Sequence, residues 1–394
     1  MSLGSLIRSA LVSDGLPQDF DRSLNPVEFD DALLNKMEPH VEELMEDLQR
    51  KGPPISCIIT DTFFVWAGHT FLSGRSRSWC FLYIITGTSS STTPIIPSQA
   101  MYLQEQDVST LSHQIIYQAF QSARTADWII SNTVDELDRQ TIKELQAQSG
   151  IPFSSVGPLF QDHRPKGEVG TSMWAESDCR SWLDKKPKHS VLYASFGSFA
   201  HVSKAQIHEM AMGLLQSKRP FLWVHRPDIV ASNVQDVLPE GFMENSKDQG
   251  LVAQWVSQLD VLSHSSVVGF LTHCGWNSIM ESLWLGVPML AFPLLTDQYT
   301  NCRLIVNEWG VAMSLGQVSR SSNNMRSMLV PRQEIALTVV EFMNIDGQDG
   351  KILRNNVGSV IEIMKRAVMN GGSSENNLEG FVDYLKGREQ SRFP

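Results

Sequence analysis

Residues 255–298 read WVSQLDVLSHSSVVGFLTHCGWNSIMESLWLGVPMLAFPLLTDQ. Two apolar runs, 267–272 and 287–295, flank a short segment that opens His273-Cys274-Gly275-Trp276-Asn277-Ser278. Runs of this length and composition predict buried strands of a parallel sheet. A strand that ends in small residues and feeds a helix aims unpaired backbone N–H groups at a place where an anion can sit. Asn277 and Ser278 are good N-cap types, and Glu281 follows Ser278 by three residues, as in a capping box. An ordinary capped helix in an α/β domain is therefore the plain alternative for any one of these positions.

Outward from this stretch the pattern repeats. Upstream, 190–196 is a strand ending in the turn Ser195-Phe196-Gly197-Ser198, followed by a helix over 203–217 and strands at 221–224 and 250–253. Downstream, helices are predicted near 303–309, 332–343 and 352–369. A Gly-Gly-Ser-Ser stop at 371–374 precedes a last helix with an apolar stripe of Leu378, Phe381, Val382 and Leu385. In the first half the spacing predicts a strand over 6–12, one helix over 27–50 and a strand over 55–60 with Asp61 at its carboxyl end. A helix over 109–124, a strand over 128–132 and a helix over 134–149 follow. Residues 68–106 read as irregular, and 161–175, rich in Gly, Pro and charge, as a linker. Alternating strands and helices predict parallel sheets with ligands gathered beyond the strand ends.

Bulk properties narrow the function. A chain of 394 residues, 42% hydrophobic and 19% charged, has the length and composition of two globular domains. A net charge of −11 speaks against a nucleic-acid partner. The five cysteines are scattered without a C-x-x-C pair, which suits a reducing cytosol better than a disulfide framework or a zinc site. No apolar run is long enough to predict a membrane span, and residues 1–16 lack the apolar core of a signal peptide. A cytoplasmic monomer is the expectation.

The string at 255–298 resembles, without a gap, the signature box of the plant-type UDP-dependent glycosyltransferases that glycosylate small molecules: Trp first, His-Cys-Gly-Trp-Asn-Ser, Glu, Gly-Val-Pro, and Asp-Gln last. The resemblance implies a GT-B-like α/β fold, two Rossmann-like domains whose parallel sheets face each other across a cleft. Residues 1–160 would form the acceptor side, incomplete at its start, and 176–370 the donor side, with 371–394 packing back on the first domain. It implies that uracil stacks on Trp255, and that Gln258 and Glu281 hold the ribose. His273, Gly275, Asn277, Ser278 and Ser198 would surround the pyrophosphate, and Trp276, Asp297 and Gln298 the sugar. Gln298 in last place resembles the glucose-preferring members. UDP-sugar is a co-substrate; no cofactor or metal is implied.

In the family a histidine after the first strand takes the acceptor's proton, and an aspartate, matched by Asp61, orients it. No counterpart of that histidine is found: the chain opens near the family's third strand, and neither His40 nor His69 matches. Two readings stay open: a hexosyltransferase, impaired or not, acting on a small lipophilic hydroxyl compound, and an inactive UDP-sugar binder or gene-model fragment. A nicotinamide-dependent oxidoreductase on a similar fold would want G-x-G-x-x-G after a strand, and Gly197-Ser198-Phe199-Ala200 is a poor substitute.

Overall fold

The computed structural model describes residues 10–18, 20, 25–53, 55, 57–61, 64, 66–67, 80–85 (backbone), 114, 117–119, 121, 123–159, 176–198, 200–230, 237–295, 297–316 and 329–390. They build two all-parallel sheets. The first has strands β1 (Cys57–Asp61), β2 (Cys80–Ile85), β3 (Trp128–Ser131) and β4 (Phe153–Ser155), side by side in sequence order. Helices α1 (Pro26–Asn35) and α2 (Glu38–Lys51) precede it, and α3 (Asp135–Ser149) joins β3 to β4.

The second sheet holds β5 (Val191–Ser195), β6 (Phe221–Val224), β7 (Gly250–Ala253), β8 (Val267–Thr272), β9 (Met289–Ala291) and β10 (Ala312–Ser314), ordered β10-β9-β8-β5-β6-β7. Its helices are α4 (Arg180–Leu183), α5 (Lys204–Gln216), α6 (Phe242–Ser246), α7 (Gln258–Leu262), α8 (Trp276–Trp284), α9 (Gln298–Arg303), α10 (Arg332–Phe342) and α11 (Gln348–Ala367). Successive residues of β5 alternate between two apolar layers: Val191 and Tyr193 pack with Phe270, Ile279 and Leu283, while Leu192 and Ala194 pack with Trp223, Leu214 and Phe342. Burial on both faces is why these strands read as unbroken apolar runs. The strand order reverses between β5 and β8, so a crevice opens beyond their carboxyl ends.

The last helix, α12 (Ser373–Gln390), lies on the first sheet although it follows the second in sequence. Phe381 is buried with Ile130 and Val156, and Trp128 packs on both Phe381 and Tyr384, ring centroids 5.8 and 4.8 Å away. Ser374 Oγ donates to the Gly157 carbonyl, Asn377 Nδ2 to the Ser155 carbonyl at 2.9 Å, and Arg388 pairs with Asp127 at 2.9 Å. Of the predicted stripe, Leu378 and Val382 stay exposed.

Several elements depart from the sequence expectation. The single helix over 27–50 is two, because Pro39 has no N–H to donate to Asn35 and the turn at Lys36 and Met37 intervenes. The expected irregularity of 68–106 is overturned at Cys80–Ile85, where an aromatic and β-branched run pairs between β1 and β3. The run 287–295 yields only Met289–Ala291, bracketed by Pro288 and Pro293. The helix predicted near 303–309 is the end of α9 continued by a π-helical turn, Leu304–Glu308. Residues 10–12 of the expected first strand are not extended into a sheet, and residues 1–9 and the 161–175 linker lie outside the described residues.

Phe381→Ala is expected to destabilise the docking of α12 by ~3 kcal/mol. Hydrogen exchange should then accelerate over 373–390 before it does so in β5 and β8; an unchanged rate there would show that polar contacts alone hold the helix.

Candidate functional site

A cavity of about 320 Å³ lies beyond the carboxyl ends of β5, β6 and β8. Its wall includes Tyr193, Ser195, Gly197 and Ser198 from the end of β5, Trp255 and Gln258 from beyond β7 and from α7, and His273 just after β8. Gly275, Trp276, Asn277, Ser278 and Glu281 at the start of α8, Asp297, and the apolar Val224 and Val256 complete it. Ten of the predicted donor-side residues therefore meet here. Gln298 is not on the wall: it is buried, and its Oε1 accepts from the backbone N–H groups of Leu294 (3.0 Å) and Leu295 (2.9 Å), holding the loop after β9. Asp61 ends β1 in the other sheet and is also off the wall.

The loop joining β8 to α8 is built on a constrained residue. Cys274 has φ +66°, costly for a side chain with a Cβ. Its N–H donates to Thr272 Oγ1 (3.2 Å) and its carbonyl accepts from Asn301 Nδ2 (3.1 Å). Asn301 Nδ2 also reaches Asp297 Oδ2 at 2.9 Å, so one amide steadies both the loop and the exposed aspartate. Gly275 then serves as N-cap of α8 with no side-chain cap. This corrects the capping-box expectation: Ser278 and Glu281 are engaged by Gln258, and the first amides of α8 stay available at the cavity.

Gln258 is the centre of a polar cluster. It accepts from Tyr193 Oη (3.2 Å) and donates through Nε2 to Ser278 Oγ (3.0 Å) and Glu281 Oε2 (2.7 Å). Burial raises the Tyr193 hydroxyl's pKa, against a lowering hydrogen bond to Ser195, so Tyr193 remains a donor at neutral pH. Beside this cluster the half-buried indole of Trp255 forms an apolar wall.

The His273 ring sits between two glycines. A Cβ on Gly197 or Gly275 would lie 2.5 or 2.4 Å from its Nε2. Its Nδ1 is buried without a partner, and burial, then the nearby Arg226 charge, lowers its pKa from 6.5 to about 4. The ring is neutral, and because an orphaned acceptor costs less than an orphaned donor, the proton belongs on Nε2, towards the two glycines. Arg226 is itself buried: Nε pairs with Asp228 at 3.1 Å, Nη1 donates to the Gly197 carbonyl, and Nη2 to the Ala200 carbonyl at 2.7 Å. It thereby fixes the turn that carries Ser198.

The start of α8 also touches the first sheet. Trp276, buried against Trp309, donates Nε1–H to the Asn132 carbonyl at 2.7 Å, and Asn132 Nδ2 donates to Asn277 Oδ1 at 3.2 Å. Sequence reasoning missed Arg226 and Asn132, whose roles rest on contacts between residues 29 and about 145 positions apart. It also passed over Tyr193, although the β5 turn that carries Ser198 pointed to the neighbourhood.

Three comparisons bear on this site. Residues 171–330, which contain the whole of the wall, match the family described as UDP-glucoronosyl and UDP-glucosyl transferase. The chain is 39% identical to UDP-glycosyltransferase 86A1 of Arabidopsis thaliana, over 98% of this chain and 82% of the relative. It is 40% identical to UDP-glycosyltransferase 86A2 of the same plant, over 96% and 82%. Among solved structures it resembles Phytolacca americana UGT2 complexed with UDP-2fluoro-glucose and pterostilbene, with TM-score 0.70 and 26% identity over 93% of this chain and 84% of that one. For Os79 from O. sativa in complex with UDP the TM-score is 0.77 at 22% identity, over 95% and 88%, a likeness of fold. Both parallel sheets and the α/β layering agree with the GT-B architecture expected from the sequence.

The depressed His273 gives a pH prediction. Its folded pKa lies below its ordinary value, so the unfolded chain takes up the proton first, and stability present above pH 6.5 is lost as pH falls towards 4. The loss from this residue is on the order of 3 kcal/mol. Urea midpoints at pH 7 and pH 4.5 should therefore differ less in His273→Asn than in the wild type. His225, also depressed by burial, adds to the slope in both proteins.

Proposed function

The chain belongs to the plant UDP-glycosyltransferase family, whose members move a sugar from a UDP-sugar, and from that premise we propose that it binds UDP-glucose in the cavity of the second sheet. We propose further that it transfers the glucose, with inversion, to a hydroxyl of a small lipophilic acceptor. The observation that carries this reading is the uncapped start of α8 opening on a cavity whose wall also holds an indole and a carboxylate–amide pair.

Each part of the donor has a suitable partner. Uracil on the Trp255 face would contribute ~1–3 kcal/mol by stacking. The Glu281 carboxylate, steadied by Gln258, suits the ribose diol, since a carboxylate accepts from two adjacent hydroxyls. The diphosphate would lie at the α8 amides, where the helix dipole favours negative charge, with Asn277, Ser278, Ser198 and His273 Nε2–H around it. As the glycosidic bond breaks, charge grows on the departing UDP, and donors already fixed in place stabilise it without reorganising. A neutral His273 supplies a hydrogen bond there at any pH well above 4. Asp297 would receive sugar hydroxyls, and because amide and imidazole donors meet the diphosphate, the reaction would proceed without a metal ion.

One observation favours a second reading, a donor-binding protein whose transfer is impaired. Among the described residues His273 is the histidine on the cavity wall, and in this reading it is committed to the phosphate side. His40 is exposed on α2, and His69 lies outside the described residues.

Calorimetry with UDP-glucose tests the binding. We expect an affinity that Trp255→Ala lowers about tenfold, the factor that one lost stack of this strength gives. UDP release that depends on a flavonoid or terpenoid acceptor, and that survives EDTA, supports transfer. Tight binding with no release in any acceptor supports the impaired reading, and no binding at all sinks both.

A further inference from the structure

Asn132 stands at the end of β3 in the first sheet and is 4% exposed, so each of its polar groups needs a partner. All three have one. Oδ1 accepts from the backbone N–H of Leu159 at 2.9 Å, Nδ2 donates to Asn277 Oδ1 at 3.2 Å, and the main-chain carbonyl accepts from Trp276 Nε1 at 2.7 Å. The segment that brings Leu159 there passes very close: a Cβ on Gly157 would lie 2.6 Å from the Thr133 nitrogen and 2.8 Å from Asn132 Oδ1. Gly157 N–H donates to the Thr133 carbonyl at 2.8 Å, and Ser374 of α12 donates to the Gly157 carbonyl.

A side-chain amide can face either way, and only its partners decide which end is the donor. Here the decision starts from a group that has no choice. A backbone N–H can only donate, so the end of Asn132 that meets Leu159 is the oxygen. The other end, which meets Asn277, is then the amine. Asn277 must answer with its oxygen, which turns its own amine towards the cavity wall that it lines. The direction of the Leu159 N–H is thus passed through two amides, from one sheet to the other.

We propose that Asn132 is a positioning residue that sets the polarity of Asn277, so that Asn277 presents hydrogen-bond donors, not an acceptor, to the diphosphate of the bound nucleotide. The inference rests on the reading above that the diphosphate lies at the start of α8. Without the relay Asn277 can rotate, and half of its orientations put an acceptor lone pair against an anion. With the relay, the entropy of choosing the right face has been lost before the ligand arrives. The relay also ties donor binding to the seating of the first sheet on α8, because Leu159 and Asn132 both lie on the far side of that joint.

The test uses the whole chain and three substitutions: Asn132→Ala, Asn132→Asp and Asn277→Ala. None removes the main-chain carbonyl that receives Trp276, so the amide is isolated. Dissociation constants are measured for UDP and for uridine, which lacks the phosphates. Asn132→Ala should weaken UDP about tenfold, the scale of one charge-assisted hydrogen bond, and leave uridine unchanged. Asn132→Asp, whose carboxylate keeps the Leu159 bond but forces the Asn277 amine away from the ligand, should weaken UDP about a hundredfold, with the added negative charge contributing. In an Asn277→Ala background the Asn132→Ala effect on UDP should fall below about twofold, because the two act as one unit. Equal losses for UDP and uridine would mean that Asn132 merely holds the fold, and would overturn the proposal. So would an unchanged UDP affinity in Asn132→Ala while Asn277→Ala weakens it, which leaves the diphosphate placement standing. An Asn277→Ala variant that binds UDP normally overturns that placement and the relay with it. If Asn132→Asp does not fold, Asn132→Ala and the double variant still decide.

Discussion

The arrangement of the cleft depends on how closely two stretches of backbone approach one imidazole. The His273 ring is held between Gly197 and Gly275 with no room for a Cβ on either. That contact fixes the spacing between the β5 turn and the start of α8, and so the width of the opening in which the first amides of α8 are exposed. It also dries the ring, which keeps it uncharged. A protonated imidazole would be costly in so enclosed a place, and the nearby Arg226 guanidinium discourages it further. The positive field behind the anion site therefore comes from a guanidinium already balanced by Asp228 and from peptide dipoles, not from a titrating side chain.

Around this contact the polar groups form two separate systems. On one side Tyr193, Gln258, Ser278 and Glu281 share hydrogen bonds that orient a carboxylate. On the other, Asn132, Asn277 and Trp276 connect the same helix to the first sheet. Helix α8 is the common member, nine residues long and buried along most of its length. A site assembled from two sheets on one short helix gains precision because every wall is referred to the same rigid element.

Much of this was legible in the sequence. Strand β8 spans the predicted residues, since an apolar run closed by Thr272-His273 leaves little freedom in its ends. Ten of the donor-side candidates lie on one cavity because a strand-end motif carries its geometry locally. What could not be read has a common cause. Gln298 reads in the sequence as a sugar-side candidate, and its Oε1 is engaged by two loop amides that only the folded chain brings to it. Glu281 reads locally as part of a capping box, whereas in the fold Gln258, 23 positions away, donates to it. Strand β2 was missed because its neighbours in sequence resemble loop, while its partners in space are β1 and β3. Asn132 and Arg226 carry no local signal at all.

The position of α12 has a consequence for how the chain is made. The apolar face formed by Trp128, Ile130 and Val156 is complete once β4 has been synthesised, yet the side chain that covers it, Phe381, comes 225 residues later. At a ribosomal pace of ~5–20 residues per second that face waits on the order of 10–45 s for its cover. The whole second sheet emerges in the interval and can fold first, since its six strands pair with one another and α11 is the helix beside it that packs on α12. That face of the first sheet is thus covered last, whereas the core around Ile129, Ile142 and Phe153 is complete with β4.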